Sequence, residues 1–171
     1  DAAVDQYGNE NHAEVNLYVA QENWVDIYQD GDANVAVVDY GHGEDVYASV
    51  ENTVEISQQG NENDVLLTMG YEVNSYRNMV VLEQSGGDGN SMDIAVEGDD
   101  NSLSLLQSGS DNIIGGAEGQ YTGFMVDGQQ MDVEISQYGM GNLIAGGMTA
   151  VNATVMITQI GDHNTAVLNT L

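Results

Sequence analysis

Along Val54–Leu67 the chain alternates apolar and polar residues. Val54, Ile56 and Gln58 fall on one phase, with Glu55 and Ser57 on the other, which is the period of a strand with one buried face. Gly60 and Asn63 bracket a tight arc, and beyond it Asn63, Val65 and Leu67 resume the buried phase. The unit therefore reads strand, arc, strand.

This unit repeats along the chain. Gln-x-Gly-x-x-Asn stands at Gln6/Gly8/Asn11, Gln29/Gly31/Asn34, Gln58/Gly60/Asn63, Gln107/Gly109/Asn112, Gln137/Gly139/Asn142 and Gln159/Gly161/Asn164. Gln84/Gly86/Asn90 is a seventh copy with one extra residue in its arc, and successive Gln landmarks lie 23, 29, 26, 23, 30 and 22 residues apart. Positions not used to find the landmarks follow it too. Two residues before each Gln stand Val4, Ile27, Ile56, Leu82, Leu105, Ile135 and Ile157; two after each Asn stand Ala13, Ala36, Val65, Met92, Ile114, Ile144 and Ala166. One face is apolar in every copy, and the spacing of two, rich in β-branched residues, excludes a helical reading.

A second arc recurs between landmarks, at Gly41–Glu44, Gly70–Asn74 and Gly98–Asn101. Each period is then two strands and two arcs, one rung of a coil. The prediction is an all-β solenoid of seven to eight strand-arc-strand rungs, stacking end to end in cross-β fashion. It forms a single domain over 1–171, with repeats near 2–23, 24–52, 53–78, 79–101, 102–130, 131–152 and 153–171. Val46–Val50 and Tyr121–Val126 exceed the regular count and read as added half-rungs or bulged loops.

Stacked rungs about 4.8 Å apart place each residue over its counterpart. Gln and Asn suit such a stack because one amide both donates and accepts, so a buried column leaves nothing unsatisfied. The predicted ladder comprises Gln6, Asn11, Gln29, Asn34, Gln58, Asn63, Gln84, Asn90, Gln107, Asn112, Gln137, Asn142, Gln159 and Asn164. Gly8, Gly31, Gly60, Gly86, Gly98, Gly109, Gly139 and Gly161 are the predicted arc glycines, where the backbone turns through positive φ. With no Pro in the chain, no rung hydrogen bond is lost to it.

Charge narrows the partners. The 28 acidic residues face a single basic one, Arg77, for a formal charge of −27, which repels nucleic acid and anionic membrane surfaces. Cations, or further copies of the chain, are the partners this composition allows. No apolar run is long enough to span a membrane as a helix, and there is no Cys to form a disulfide. A chain opening at Asp1 without a leader suits a mature secreted protein. Both its first and its last residues already show the repeat pattern, which is expected of open, uncapped edges that add the next molecule.

Gln29–Ala36 and Gln159–Ala166, each Gln-x-Gly-x-x-Asn-x-Ala, resemble the curlin repeat of bacterial curli fibre subunits, and the resemblance extends over nearly the whole chain. It implies a subunit secreted to the surface of a bacterium, self-assembling into extracellular amyloid for biofilm and adhesion. A nucleator subunit and a dedicated secretion pore are its implied partners. The arcs at Gly70 and Gly98 depart from the family pattern in lacking the Gln.

The remaining candidates have plainer readings. Asp30, Asp32, Asp88, Asp99, Asp100, Asp111 and Asp162 in the arcs are oxygen donors of the kind calcium takes, but read as a solvated acidic face with weak divalent-cation binding at most. Their mutual repulsion predicts that acid or divalent cations accelerate assembly. His12, His42 and His163 lack metal-ligand spacing, and no metal or cofactor is predicted. Trp24, Tyr18, Tyr28 and Tyr138 fall on outward phases, and Arg77 reads as pairing locally with Glu72 or Glu83. Enzymatic activity is not expected, because one Arg offers little to stabilise developing negative charge and no nucleophile lies in a recognisable setting. The rival reading is a monomeric acidic β-solenoid binding module, calcium-dependent or ice-binding; the mixed outward residues count against an ice-binding Thr array.

Overall fold

The computed structural model describes residues 1–40, 48–70, 73–115 and 124–169. The first four rungs each contain three strands: β1 (Ala2–Tyr7), β2 (His12–Leu17) and β3 (Ala20–Gln21); β4 (Trp24–Asp30), β5 (Val35–Tyr40) and β6 (Ser49–Val50); β7 (Thr53–Gln59), β8 (Asp64–Met69) and β9 (Ser75–Tyr76); β10 (Met79–Ser85), β11 (Ser91–Val96) and β12 (Gly98–Asp99). The fifth has β13 (Ser102–Ser108), β14 (Ile113–Gly115) and β15 (Phe124–Gln129), the sixth β16 (Asp132–Tyr138) and β17 (Leu143–Val151), and the last β18 (Thr154–Ile160) and β19 (Thr165–Asn169).

All pairings are parallel, and successive rungs lie one on another. The first face is a seven-stranded sheet, β1-β4-β7-β10-β13-β16-β18, in which Gln6, Gln29, Gln58, Gln84, Gln107, Gln137 and Gln159 occupy one column. The second face runs from β2 through β5, β8 and β11 to β17 and β19. The fold is thus an all-β solenoid with seven strands along its first face and six turns between the outermost two.

Two segments in excess of the repeat resolve differently. In the fifth rung β14 and β15 together fill the place of one strand, since both pair with β11 on one side and with β17 on the other. Phe124–Val126 therefore belongs to the second-face strand position and is not an added half-rung. Ser49–Val50 belongs to a third sheet, β3-β6-β9-β12, that was not foreseen. The second arc is thus a corner with its own two-residue strand. Gly41–Glu44 with His42, Val46, Tyr71 and Glu72, and Tyr121 lie outside the described residues.

The core is the inward phase of the two main faces. Val25, Ile27, Val54, Ile56, Val80, Leu82, Leu103, Leu105, Val133 and Ile135 are buried between the sheets against Ala36, Val65, Met92, Ile114 and Ile144. Each large side chain so buried contributes about 1.5–3 kcal/mol. The end rungs differ, because each lacks a neighbour on one side. Val4 is 44% exposed, while Val155, Ile157 and Ala166 are half-buried at the opposite end.

Candidate functional site: two open faces joined by side-chain columns

The Gln column runs unbroken through the solenoid. Nε2 of Gln6 donates to Oε1 of Gln29 (2.6 Å), and the same bond links Gln29 to Gln58, Gln58 to Gln84, Gln84 to Gln107, Gln107 to Gln137 and Gln137 to Gln159, at 2.7–3.0 Å. The second Nε2 proton crosses the core. Gln29 gives it to the His12 carbonyl at 3.1 Å, Gln58 to Val35 at 2.8 Å and Gln159 to Leu143 at 3.2 Å, tying the first face to the second.

The Asn column bonds in the opposite sense. Asn34 Nδ2 donates to Asn11 Oδ1, and the series continues through Asn63, Asn90, Asn112, Asn142 and Asn164 at 2.9–3.2 Å. Each Oδ1 also accepts the backbone N–H of the Asn one rung on, at 2.9–3.1 Å. Backbone groups fix both amide orientations: the Asn oxygen must face an N–H, and the Gln nitrogen must face a carbonyl. Gln amides therefore donate toward the C-terminal end and Asn amides toward the N-terminal end. Asn90 falls in register despite its displacement in sequence.

The glycines explain how. A Cβ on Gly8, Gly31, Gly109 or Gly139 would run into the carbonyl of the glycine above it, and one on Gly60 would run into the carbonyl of Gly87. Gly86 turns through positive φ as predicted, at 75°, but it is the inserted residue, and Gly87 holds the column position. Gly161 caps this column, and Gly98 belongs to the corner, where its Cβ would press on the Gly128 carbonyl.

Glycine is not the only residue in the left-handed region. The residue just before each Asn also adopts it, including Glu10, Ala33, Glu62, Asp111 and His163 at φ 55–58°, a conformation that costs L-residues about 1 kcal/mol each. The bonds of the columns hold these residues there.

The arc acids are more than a solvated face. Asp32 Oδ1 accepts the backbone N–H of Asn9 at 2.7 Å, Asp88 that of Asn61 at 2.8 Å and Asp162 that of Met140 at 2.9 Å. The column reads Asn9, Asp32, Asn61, Asp88, Ser110, Met140, Asp162, so no carboxylate rests on another. On the outer side of the first face Asp26 does sit on Glu55, and there like charges meet. Outward on the second face, partial loss of solvent raises the carboxyls of Asp64 and Asp93, with Asp64 adding to the rise at Asp93.

The corner holds a column the sequence reading missed. Asn52, Asn78 and Asn101 each donate their backbone N–H, at 2.8 Å, to Oδ1 of Asn23, Asn52 and Asn78 respectively, with Nδ2 of Asn52 on Ser49 Oγ and Nδ2 of Asn78 on Ser75 Oγ. The signal was available, since each of these Asn precedes its Gln landmark by six residues. Met131 and Ala153 take that place in the fifth and sixth rungs, and Asn101 Oδ1, buried under Met131's rung, has no hydrogen-bond partner. Arg77 in this corner pairs with Asp100 one rung on (2.8 Å), correcting the local pairing with Glu72 or Glu83.

At the two ends these columns are cut. Among the described residues the outer edges of β1 and β2 and of β18 and β19 carry no partner strand. The first rung presents the Oε1 of Gln6 and the Oδ1 of Asn9, and the last presents an Nε2 proton of Gln159 and the Oδ1 of Asn164. Trp24, Tyr18 and Tyr138 are exposed on the flanks. Beside the third face lies an open groove of about 750 Å³ lined by Val73, Tyr76, Asp99, Asp127 and Val151, with carboxylates but no basic group. Among the described residues no group of three or more His, Asp or Glu side chains converges as a metal site. No protein-family model matches this chain, and no curated protein does either.

Proposed function

We propose that this chain is a structural subunit of an extracellular, curli-like amyloid fibre, in which copies add end to end and serve cell adhesion and biofilm matrix. The observation that carries the reading is the match between the cut columns. Each column continues if the first rung of one copy lies on the last rung of another: Gln159 donates to Gln6, and Asn11 donates its backbone N–H and Nδ2 to Asn164 Oδ1. The strand edges, the half-buried Val155 and Ile157 and the exposed Val4 and Ala2 are covered in the same step, which removes both the edge liability and the exposed core. The resemblance of the repeat to curlin supplies the rest of the proposal: secretion through a dedicated pore to the bacterial surface, and initiation by a nucleator subunit.

The role is structural, not catalytic. The competing reading, a monomeric calcium-dependent module, predicts a different outcome in one experiment. Purified monomer is incubated in chelator and followed by electron microscopy. Fibres without calcium support the proposal; a monodisperse sample that folds only on adding calcium favours the module.

A further inference from the structure

We infer that the two open faces fit a second copy in one register only, with Asp162 beneath Asn9 and His163 beneath Glu10, so that the last arc clasps the first arc of its partner. The inference rests on the end-to-end reading above and specifies the contact that reading leaves open. Three independent features of the arc carry it.

The first is the alternating column. Within the chain Asp32 and Asp88 each have Asn or Ser as neighbours, never another carboxylate. A joint with Asp162 beneath Asn9 keeps that alternation, and the Asp162 N–H meets Asn9 Oδ1 as the Asp32 N–H meets Asn61 Oδ1 at 2.9 Å.

The second is backbone shape. Glu10 and His163 hold the same left-handed conformation, φ 58° and φ 57°, and occupy equivalent arc positions, so stacking sets their side chains one rung apart, about 4.8 Å. His163 already packs over the bare Gly141 of the rung before, which leaves its other side to the joint.

The third is charge. The first repeat, 2–23, carries Asp5, Glu10, Glu14 and Glu22, whereas the last, 153–171, carries Asp162 alone. First rung on first rung stacks carboxylate on carboxylate; first on last does not. The charged groups facing His163 in the joint are Asp162 on its own arc, Glu10 opposite, and His12 and Glu14 at the start of the partner's second strand; the arc beneath, Gly139–Asn142, has none. Carboxylates are the majority, so the joint attracts positive charge at His163 and disfavours negative charge there.

The test combines a register probe with a charge probe. Because the chain has no Cys, Asn9→Cys with Asp162→Cys adds one thiol at each end, and stacked Cα atoms about 4.8 Å apart are within disulfide reach. Oxidised fibres of the double variant should give a ladder of linked multimers that reductant collapses, while either single variant stays monomeric in denaturant. Linked dimers from a single variant, or no ladder from fibres of the double variant, would overturn the register.

For the clasp, critical concentrations for fibre formation are measured at pH 5.5. Glu10→Lys lowers the net negative charge, so general repulsion alone predicts easier assembly; the clasp predicts a critical concentration about twofold to fivefold higher. Adding His163→Glu to Glu10→Lys should restore the wild-type value. Easier assembly of Glu10→Lys, or no rescue, defeats the clasp while leaving the fibre reading intact. A wild-type chain that never forms fibres defeats both.

Discussion

The bend after the first face and the bend after the second differ in how far their side-chain columns run. The first carries Gln, Gly and Asn in all seven rungs, and each Gln and Asn amide of the five inner rungs has column partners above and below. The corner keeps its Asn in four rungs, then switches to Met131 and Ala153 and leaves Asn101 Oδ1 unpaired. A column closed at every level tolerates almost no change in length: its one insertion, at Gly86, is absorbed by a glycine at positive φ. In the fifth rung, where the corner column has ended, β14 stops at Gly115 and β15 begins only at Phe124. Continuous amide columns, more than apolar alternation, therefore fix the register of this solenoid.

The same change made in both bends tests that contrast most sharply. Gly31→Ala should cost upwards of about 3 kcal/mol, since it strains φ 131° and drives a Cβ into the Gly60 carbonyl. At Gly70, where φ is 71° and the nearest atom to an added Cβ is the Val73 carbonyl oxygen at 3.6 Å, alanine should cost about 1 kcal/mol. Urea midpoints of the two variants rank them, and equal losses would show that the first bend is not specially constrained.

Next in size is removal of one rung of amide. Gln58→Leu leaves Gln29 Nε2, Gln84 Oε1 and the Val35 carbonyl short of a partner, for an expected loss of about 3 kcal/mol. In the corner, Asn52→Ala removes the acceptor of the Asn78 N–H and the donor to Ser49 Oγ and the Ser75 carbonyl, for about 2 kcal/mol. Asn101→Ala should cost less than 1 kcal/mol, because it also removes an oxygen that no donor reaches. A similar loss at Asn52 and Asn101 would mean the corner column carries no energy of its own.

The smallest effect expected is in pH dependence. Folding raises the carboxyls of Asp64 and Asp93, so these groups bind a proton more readily folded than unfolded. Their contribution favours the fold below the ordinary carboxylate value near 3.9 and is lost as pH rises through their raised folded values. Asp64→Asn with Asp93→Asn should therefore flatten the stability change just above pH 4. An unchanged profile would place the acid response elsewhere.

Much of this was legible in the chain because stacking converts sequence period into spatial contact. Residues at one offset from the Gln landmark share a column, so the ladder of the first bend and the inward phase from Val25 to Ile135 could be read directly. The corner resisted for the same reason inverted. Measured forward from the preceding strand, segments of uneven length such as Val46–Val50 hide its period, yet measured back from Gln29, Gln58, Gln84 and Gln107 its Asn stands at a constant offset. Arg77 and Asp100 each lie seven residues before their landmarks, so their pairing is encoded across rungs and not between neighbours in sequence. Gly86 and Gly87 could not be told apart by spacing; only the carbonyl facing Gly60 shows which one is inserted.

Successive turns and successive molecules share one spacing if copies add end to end, and fibre diffraction from aligned assemblies measures that spacing. End-to-end stacking predicts a sharp meridional reflection near 4.8 Å from aligned assemblies grown without divalent cations. Assemblies whose meridian lacks that reflection, or a sample that stays monomeric however long it is held, would contradict it.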